Sequence, residues 1–358
     1  MDEAVIGDWR RKRQRYVAWW KRELGDALIS INAKRDKPAF PPPEVRVPGD
    51  AVGRWCDVEY AVAAALHGAA TVYYGGDSLP IGWPNLGCVD LGGFAGAELG
   101  FAPDTVWINE CIDDLDAYRP PRFDRSNRYV RLVEERTAAL LAAAEGRYFV
   151  TMASLIDPVT ALSQMRGVEA FCLDMRDRPQ RVRVVRDAFT QLWLDAYDHF
   201  YGMMTAAGQD GVRDWVGLWG PGRYKCTECD FSVMVSPADF RWLIAPDQDR
   251  LWSRLDEAAF HLDGPQAARH LDDLLAMDRL GAIQWVPGAG QPSEARHWID
   301  LAQKILEAGK NLVLYAEHDE LEYLLERLPH RGLALMLPDA TGEDHARSIL
   351  RSAHHPLA

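Results

Sequence analysis

The stretch Ala258–Gly288, AAFHLDGPQAARHLDDLLAMDRLGAIQWVPG, decides the fold. It begins and ends with short apolar runs, AAFHLDG and AIQWVPG. Between them Pro265 falls where a first helical turn needs no backbone N–H. Ala268, Leu271, Leu274 and Leu275 then recur on one face at helical spacing. A strand, a crossing helix and a second strand in one short segment make a parallel pair, because the helix must carry the chain back over the sheet. Downstream, NLVLYAE (Asn311–Glu317) and GLALMLP (Gly332–Pro338) repeat the unit, each followed by a helical pattern. After GAGQP (Gly288–Pro292), Ser293 is a candidate N-cap for a helix carrying Ala295, Trp298, Ile299, Ala302, Ile305 and Leu306 at helical spacing.

Upstream the pattern predicts helices over 9–24, 55–67, 125–145 and 178–207. Strands are expected in ATVYYGG (Ala70–Gly76), RYFVTMA (Arg147–Ala153) and DWVGLWG (Asp214–Gly220). The number of units and the length of 358 residues favour a closed (β/α)8 TIM barrel over an open doubly wound sheet. Residues 1–50, an amphipathic helix with a basic face and the Pro-rich stretch KPAFPPPEVRVPGD (Lys37–Asp50), are expected to pack as an arm on a barrel of residues 51–358.

A hydrophobic content of 48% supports a large core, and a formal net charge of −13 argues against a nucleic-acid partner. Six scattered cysteines make no secreted disulfide framework. The N-terminal residues hold no apolar signal segment, and no apolar run reaches membrane-spanning length. A cytoplasmic protein without membrane partners is expected. Of thirteen tryptophans, Trp83, Trp107, Trp215, Trp219 and Trp285 fall near strand ends, where they either fill the core or wall a pocket.

In a barrel the chemistry stands at the C-terminal ends of the strands. His261 and Asp263 are two residues apart in one strand, so both side chains point the same way. Three readings follow. The pair gives nitrogen and oxygen ligands to a divalent metal, with Glu317 or a cysteine completing the shell. Or the carboxylate orients an acid–base imidazole. Or the histidine is a wall residue and Asp263 caps the next helix. Other polar groups at such ends are Asp77, Asp230, Gln284 beside Trp285, and Glu317 beside His318. Cys226-x-x-Cys229 lacks the second pair that structural zinc requires. GAGQPS matches neither the dinucleotide fingerprint nor the P-loop.

The segment FHLDGPQAARHLDDLLAMDRLGAIQWVPGAGQP (Phe260–Pro292) resembles the uroporphyrinogen decarboxylase superfamily, in its decarboxylase-like branch near the corrinoid-dependent methyltransferases. YYGGDSLPIGWPNLG (Tyr73–Gly87), CDFSVMVSP (Cys229–Pro237) and WWKREL (Trp19–Leu24) fit the same branch. The resemblance implies one (β/α)8 barrel with an N-terminal helical extension. It implies one of two chemistries: metal-free decarboxylation of porphyrinogen acetate groups, or methyl transfer between a corrinoid and a thiol or other acceptor, with zinc activating the acceptor. The zinc methyltransferases carry His-x-Cys where this chain has His261 and Asp263. Their later cysteine falls in Gly332–Asp344, which contains none. The decarboxylase's arginine pair has no clear match in WRRKRQR (Trp9–Arg15), and its late histidine falls near Leu337 and Pro338.

The expectation is therefore metal-assisted methyl transfer to a small acceptor. His261, Asp263 and Glu317 would hold a divalent metal, zinc first, with Cys229 as a further candidate ligand. Asp77 and Asp230 join His261 and Asp263 as catalytic candidates. Gln284, Trp285, Trp219 and Trp83 would bind substrate or cofactor. A corrinoid would come from a small partner protein, and the chain would form a homodimer. The alternatives are a decarboxylase or lyase acting on a small carboxylic acid or tetrapyrrole, and a non-catalytic carrier of a tetrapyrrole or methyl donor.

Overall fold

The computed structural model describes residues 1–357. Its centre is a seven-stranded sheet in the spatial order Val72–Gly76, Leu28–Lys34, Leu333–Met336, Asn311–Tyr315, Ala282–Val286, Glu257–Asp263, Tyr224–Thr227. Every neighbouring pair is parallel except Val72–Gly76 with Leu28–Lys34, which is antiparallel. The opening segment folds as its pattern predicts: Glu257–Asp263 and Ala282–Val286 pair in parallel, with His261 opposite Gln284, and the helices Gly264–Ala268 and Leu271–Leu275 lie between them in the chain.

Short pairs stand outside this ladder. Ile81–Gly82 pairs with Phe149–Val150 in parallel, while Leu99–Phe101 with Val106–Ile108 and Gly211–Arg213 with Trp219–Pro221 are antiparallel. The structure is thus a mixed α/β fold on a largely parallel sheet. The hydrogen-bonded ladder ends at Val72–Gly76 on one side and Tyr224–Thr227 on the other, so eightfold closure is not shown.

The expected long helices are present as Trp9–Trp20, Val58–Thr71, Arg128–Ala144 and Pro179–Ala206. Three local expectations change. RYFVTMA contributes only Phe149–Val150 as strand. DWVGLWG is a turn before it is a strand: Gly217 has φ +92°, and its N–H donates to Asp214 O at 3.2 Å, which folds the chain back before Trp219. Ser293 caps no helix, because the buried Glu320 carboxylate accepts the Ala295 and Arg296 N–H groups at 3.2 and 2.8 Å.

The division at residue 50 does not coincide with a structural boundary. Leu28–Lys34 belongs to the sheet interior, between Val72–Gly76 and Leu333–Met336. The helix before it covers the N-terminal ends of the strands. Trp19 Nε1 donates to Leu333 O at 3.0 Å, Asn311 Nδ2 donates to Trp19 O at 3.1 Å, and Trp20 Nε1 donates to Trp219 O at 2.9 Å. Leu333 and Asn311 are the first residues of their strands. With that end sealed, the C-terminal ends of the strands are left for a site.

Candidate functional site

His261 lies near the C-terminal end of its strand, half-buried. Its Nδ1 is hydrogen-bonded to Oε1 of Gln284, the buried residue opposite it on the next strand. Gln284 Nε2 donates to Trp285 O at 3.1 Å, which turns the amide oxygen toward the imidazole. An amide oxygen only accepts, so Nδ1 carries a proton, and in the neutral ring the lone pair is on Nε2. Nε2 has no hydrogen-bond partner among the described residues. The ring meets Trp215 edge-on, with centroids 5.0 Å apart.

Asp263 is exposed and makes no capping hydrogen bond to the helix that follows it. Its Oδ1 lies against the Pro287–Gly290 loop, where a Cβ on Gly288 would approach within 3.3 Å. Asp230 completes the group. Burial raises its carboxyl above the ordinary range; the neighbouring imidazole of His261 opposes that rise and Asp263 adds to it. His261, Asp263 and Asp230 are thus the sequence candidates that the fold brings into electrical contact.

Beside them are two acids that the sequence reading missed, the half-buried Glu228 and the buried Asp157. Burial, ahead of any charge, pushes Glu228 up to about 8 and Asp157 up to about 7, so both titrate near neutral pH instead of near 4. Asp157 caps the helix Pro158–Arg166 through Oδ1, which accepts the Val159 and Thr160 N–H groups at 2.9 and 3.0 Å. Its Oδ2 has no partner. The Cys88 thiol is pushed up to about 12, first by burial and next by Glu228. No motif flags these residues; the signal available was acidic residues embedded in apolar runs.

A cavity of about 480 Å³ opens alongside. Trp215, Arg213, Tyr315, Glu317 and Met336 are among its lining residues. Glu317 therefore faces this cavity, and its N–H donates to Glu320 at 3.1 Å. Cys229 is buried and meets Thr160 Oγ1 at 3.9 Å, and burial raises its thiol far above the ordinary range. Cys226 is buried likewise, and both cysteines are free thiols. Among the described residues no three His, Cys, Asp or Glu side chains stand together as a metal-holding group. His261, Asp263, Glu317 and Cys229 do not converge as a ligand set. The donors do not fit a closed zinc shell, which needs three or four.

The remaining candidates lie elsewhere. Asp77 is fully buried where Leu28–Lys34 begins. Its carboxylate accepts from Arg15 Nε at 2.7 Å and from Ile29 N at 2.9 Å, and it meets His355 Nε2 at 2.9 Å. Burial works against its charge, but the bonds from His355 and Arg15 outweigh that cost and hold the carboxyl below its ordinary value. Asp77 thus ties the N-terminal helix and the C-terminal segment to the first strand of the sheet. Trp219 is buried among Trp9 and Tyr16. Trp285 is buried against Trp298. Trp83 is half-buried. The tryptophan beside His261 is Trp215.

Fold and site together define a class: a mixed α/β protein with His261, Asp263 and Asp230 grouped near the C-terminal ends of strands in a largely parallel sheet. No protein-family model matches the sequence, and no curated protein matches it. Solved structures do match. One is a methyltransferase from Methanosarcina mazei, at TM-score 0.62 and 13% identity, covering 96% of this chain and 97% of that one. The likeness runs the length of both chains and is a likeness of fold. Among the described residues no helix is long and apolar enough to cross a membrane.

Proposed function

We propose that this chain is a methyl-transferring enzyme on a (β/α)8 barrel of the uroporphyrinogen decarboxylase superfamily, with His261 as the base that activates a small acceptor. The observation that carries this is the tautomer: Gln284 holds a proton on Nδ1, which in the neutral ring leaves the lone pair on Nε2, a nitrogen with no hydrogen-bond partner among the described residues. In this reading the acceptor's S–H or O–H donates to Nε2. As the acceptor atom bonds to the methyl carbon, the donor's bond to that carbon breaks and its electron pair leaves with the donor. The acceptor's proton passes to Nε2. Asp230 favours the imidazolium that results, because it lies close enough to feel its charge. Trp215 shields one edge of the ring from water. The methyl donor in this reading is a corrinoid brought by a small partner protein, which supplies a methyl group that leaves readily to a nucleophile.

The test is demethylation of free methylcobalamin by the purified protein with 2-mercaptoethanol as acceptor, followed by absorbance. His261→Ala should lower the rate by roughly 100-fold or more, the usual weight of a positioned base, while leaving thermal stability nearly unchanged. Equal rates for the two proteins would sink the reading.

A decarboxylase or lyase is favoured by one observation. Glu228 holds a proton up to about 8 and lies close to Asp230 and Cys88, where it could protonate a carbanion-like intermediate. Carbon dioxide release without any methyl donor would select that reading.

A further inference from the structure

We propose that the cavity beside His261 binds a small monocarboxylate and that Arg213 is its anchor. This names the substrate class of the site and rests on reading this end of the sheet as the place of reaction.

Arg213 ends the short strand Gly211–Arg213 and lines the cavity. Its Nη1 donates to Asp214 O at 2.6 Å. Its Nε is sealed from solvent and has no partner. The carboxylate nearest in sequence is committed elsewhere: Asp214 accepts the Cys226 N–H at 2.6 Å and the Trp215 N–H at 2.7 Å, and meets Lys225 Nζ at 3.5 Å. Among the described residues no carboxylate forms an ion pair with Arg213, whereas the buried Arg15 has Asp77. An unneutralised guanidinium in a protein wall is costly and stays charged. A ligand that supplies the missing anion removes that cost.

The free groups specify the anion. With Nη1 taken and Nε enclosed, Nη2 is the nitrogen left to meet a ligand oxygen, and its hydrogen bond to a carboxylate is charge-assisted. Arg213 is the single cation among the lining residues and Glu317 the single carboxylate, so a monoanion adds one negative charge to the cavity where a dianionic phosphate would add two. The Ser30 hydroxyl lines the same cavity and is also buried without a hydrogen-bond partner. Trp215, Met336 and Leu337 supply apolar wall for the rest of the ligand. At about 480 Å³ the cavity is in the range of small-molecule sites.

The test is calorimetric titration of the full chain with phenylacetate and hexanoate, and with their neutral amides, phenylacetamide and hexanamide. At least one acid should bind at least tenfold tighter than its amide. Arg213→Met should lose that preference, and Arg213→Lys, which keeps the charge without the fork, should fall between. The melting temperature of ligand-free Arg213→Met should hold or rise, because the variant buries no unpaired charge. The proposal is overturned if no acid binds at millimolar concentration, if acid and amide bind alike, or if Arg213→Met keeps the preference. It is also overturned if both variants lose stability by several degrees or fail to fold, since the guanidinium is then structural. None of these readings needs turnover. Carboxylate binding without methyl transfer would retire only the proposed reaction, and methyl transfer without carboxylate binding only the anchor.

Discussion

Asp77 and His261 are both polar groups next to strands of one sheet, and their surroundings separate their roles. Asp77 is enclosed by Arg15, His355 and the Ile29 N–H, with every neighbour hydrogen-bonded to it. His261 has one nitrogen fixed and one free. Removing Asp77 leaves Arg15 buried without its main partner, and Asp77→Ala should cost about 3–5 kcal/mol. The folded carboxyl lies below its ordinary value, so its contribution is complete above the unfolded aspartate range and is lost as pH falls through the lowered folded value. Urea unfolding should therefore show a wild-type to Asp77→Ala gap that is widest near pH 7 and narrows at pH 3; a gap independent of pH would contradict the linkage. The sequence marked His261 and Gln284 as polar groups near two strand ends, Gln284 as a binding residue; only the register of the folded strands pairs them, with Gln284 holding the imidazole. It misled at Asp77, because a residue following a strand marks the C-terminal mouth only if that strand runs parallel to the rest, and Val72–Gly76 runs antiparallel. It was silent at Arg213, whose meaning lies in the partner it lacks.

At the scale of elements, the repeated units after residue 257 were readable because each apolar run ends in turn residues and is followed by a helical face. Leu28–Lys34 was not read, although its alternation of Ile29, Ile31 and Ala33 with Ser30, Asn32 and Lys34 is a period-two signal. The Pro-rich stretch after it suggests an arm, and only the pairing with Leu333–Met336, some three hundred residues on, makes it an interior strand. The turn that lets Val72–Gly76 pair antiparallel with it depends on Gly76. That residue has φ +58°, and a Cβ there would stand 2.1 Å from the Ile29 carbonyl oxygen. The Ile29 backbone cannot give way, so Gly76→Ala should destabilise by roughly 2–4 kcal/mol through strain and overpacking. Gly25→Ala is the control, because nothing lies within 4 Å of its added Cβ. Similar melting temperatures for the two variants would show that the junction tolerates a side chain.

At the scale of the whole molecule, acidity is the dominant feature, with 53 Asp and Glu against 40 Lys and Arg. Some of those acids are inside. Burial raises Asp90, Asp157 and Asp247 to about 7 and Glu228 to about 8. In the unfolded chain the same groups ionise near 4. Between pH 4 and about 7 to 8 the folded protein therefore holds more protons than the unfolded one, and stability must fall as pH rises through that window. Depressed carboxyls such as Asp77 act in the opposite sense, but their window closes below the unfolded aspartate value, so they do not offset the loss above pH 5. The expected outcome is a melting temperature several degrees higher at pH 5.5 than at pH 8.0, at matched ionic strength. Asn in place of Asp247, which meets Thr190 through Oδ1 and leaves Oδ2 without a partner, should flatten part of that slope, since the neutral amide has no proton to lose. A melting temperature that rises from pH 5.5 to 8.0 would mean that these carboxyls are ionised in the folded state. The buried acids around Glu228 would then be anions rather than the proton reservoir that the lyase reading needs.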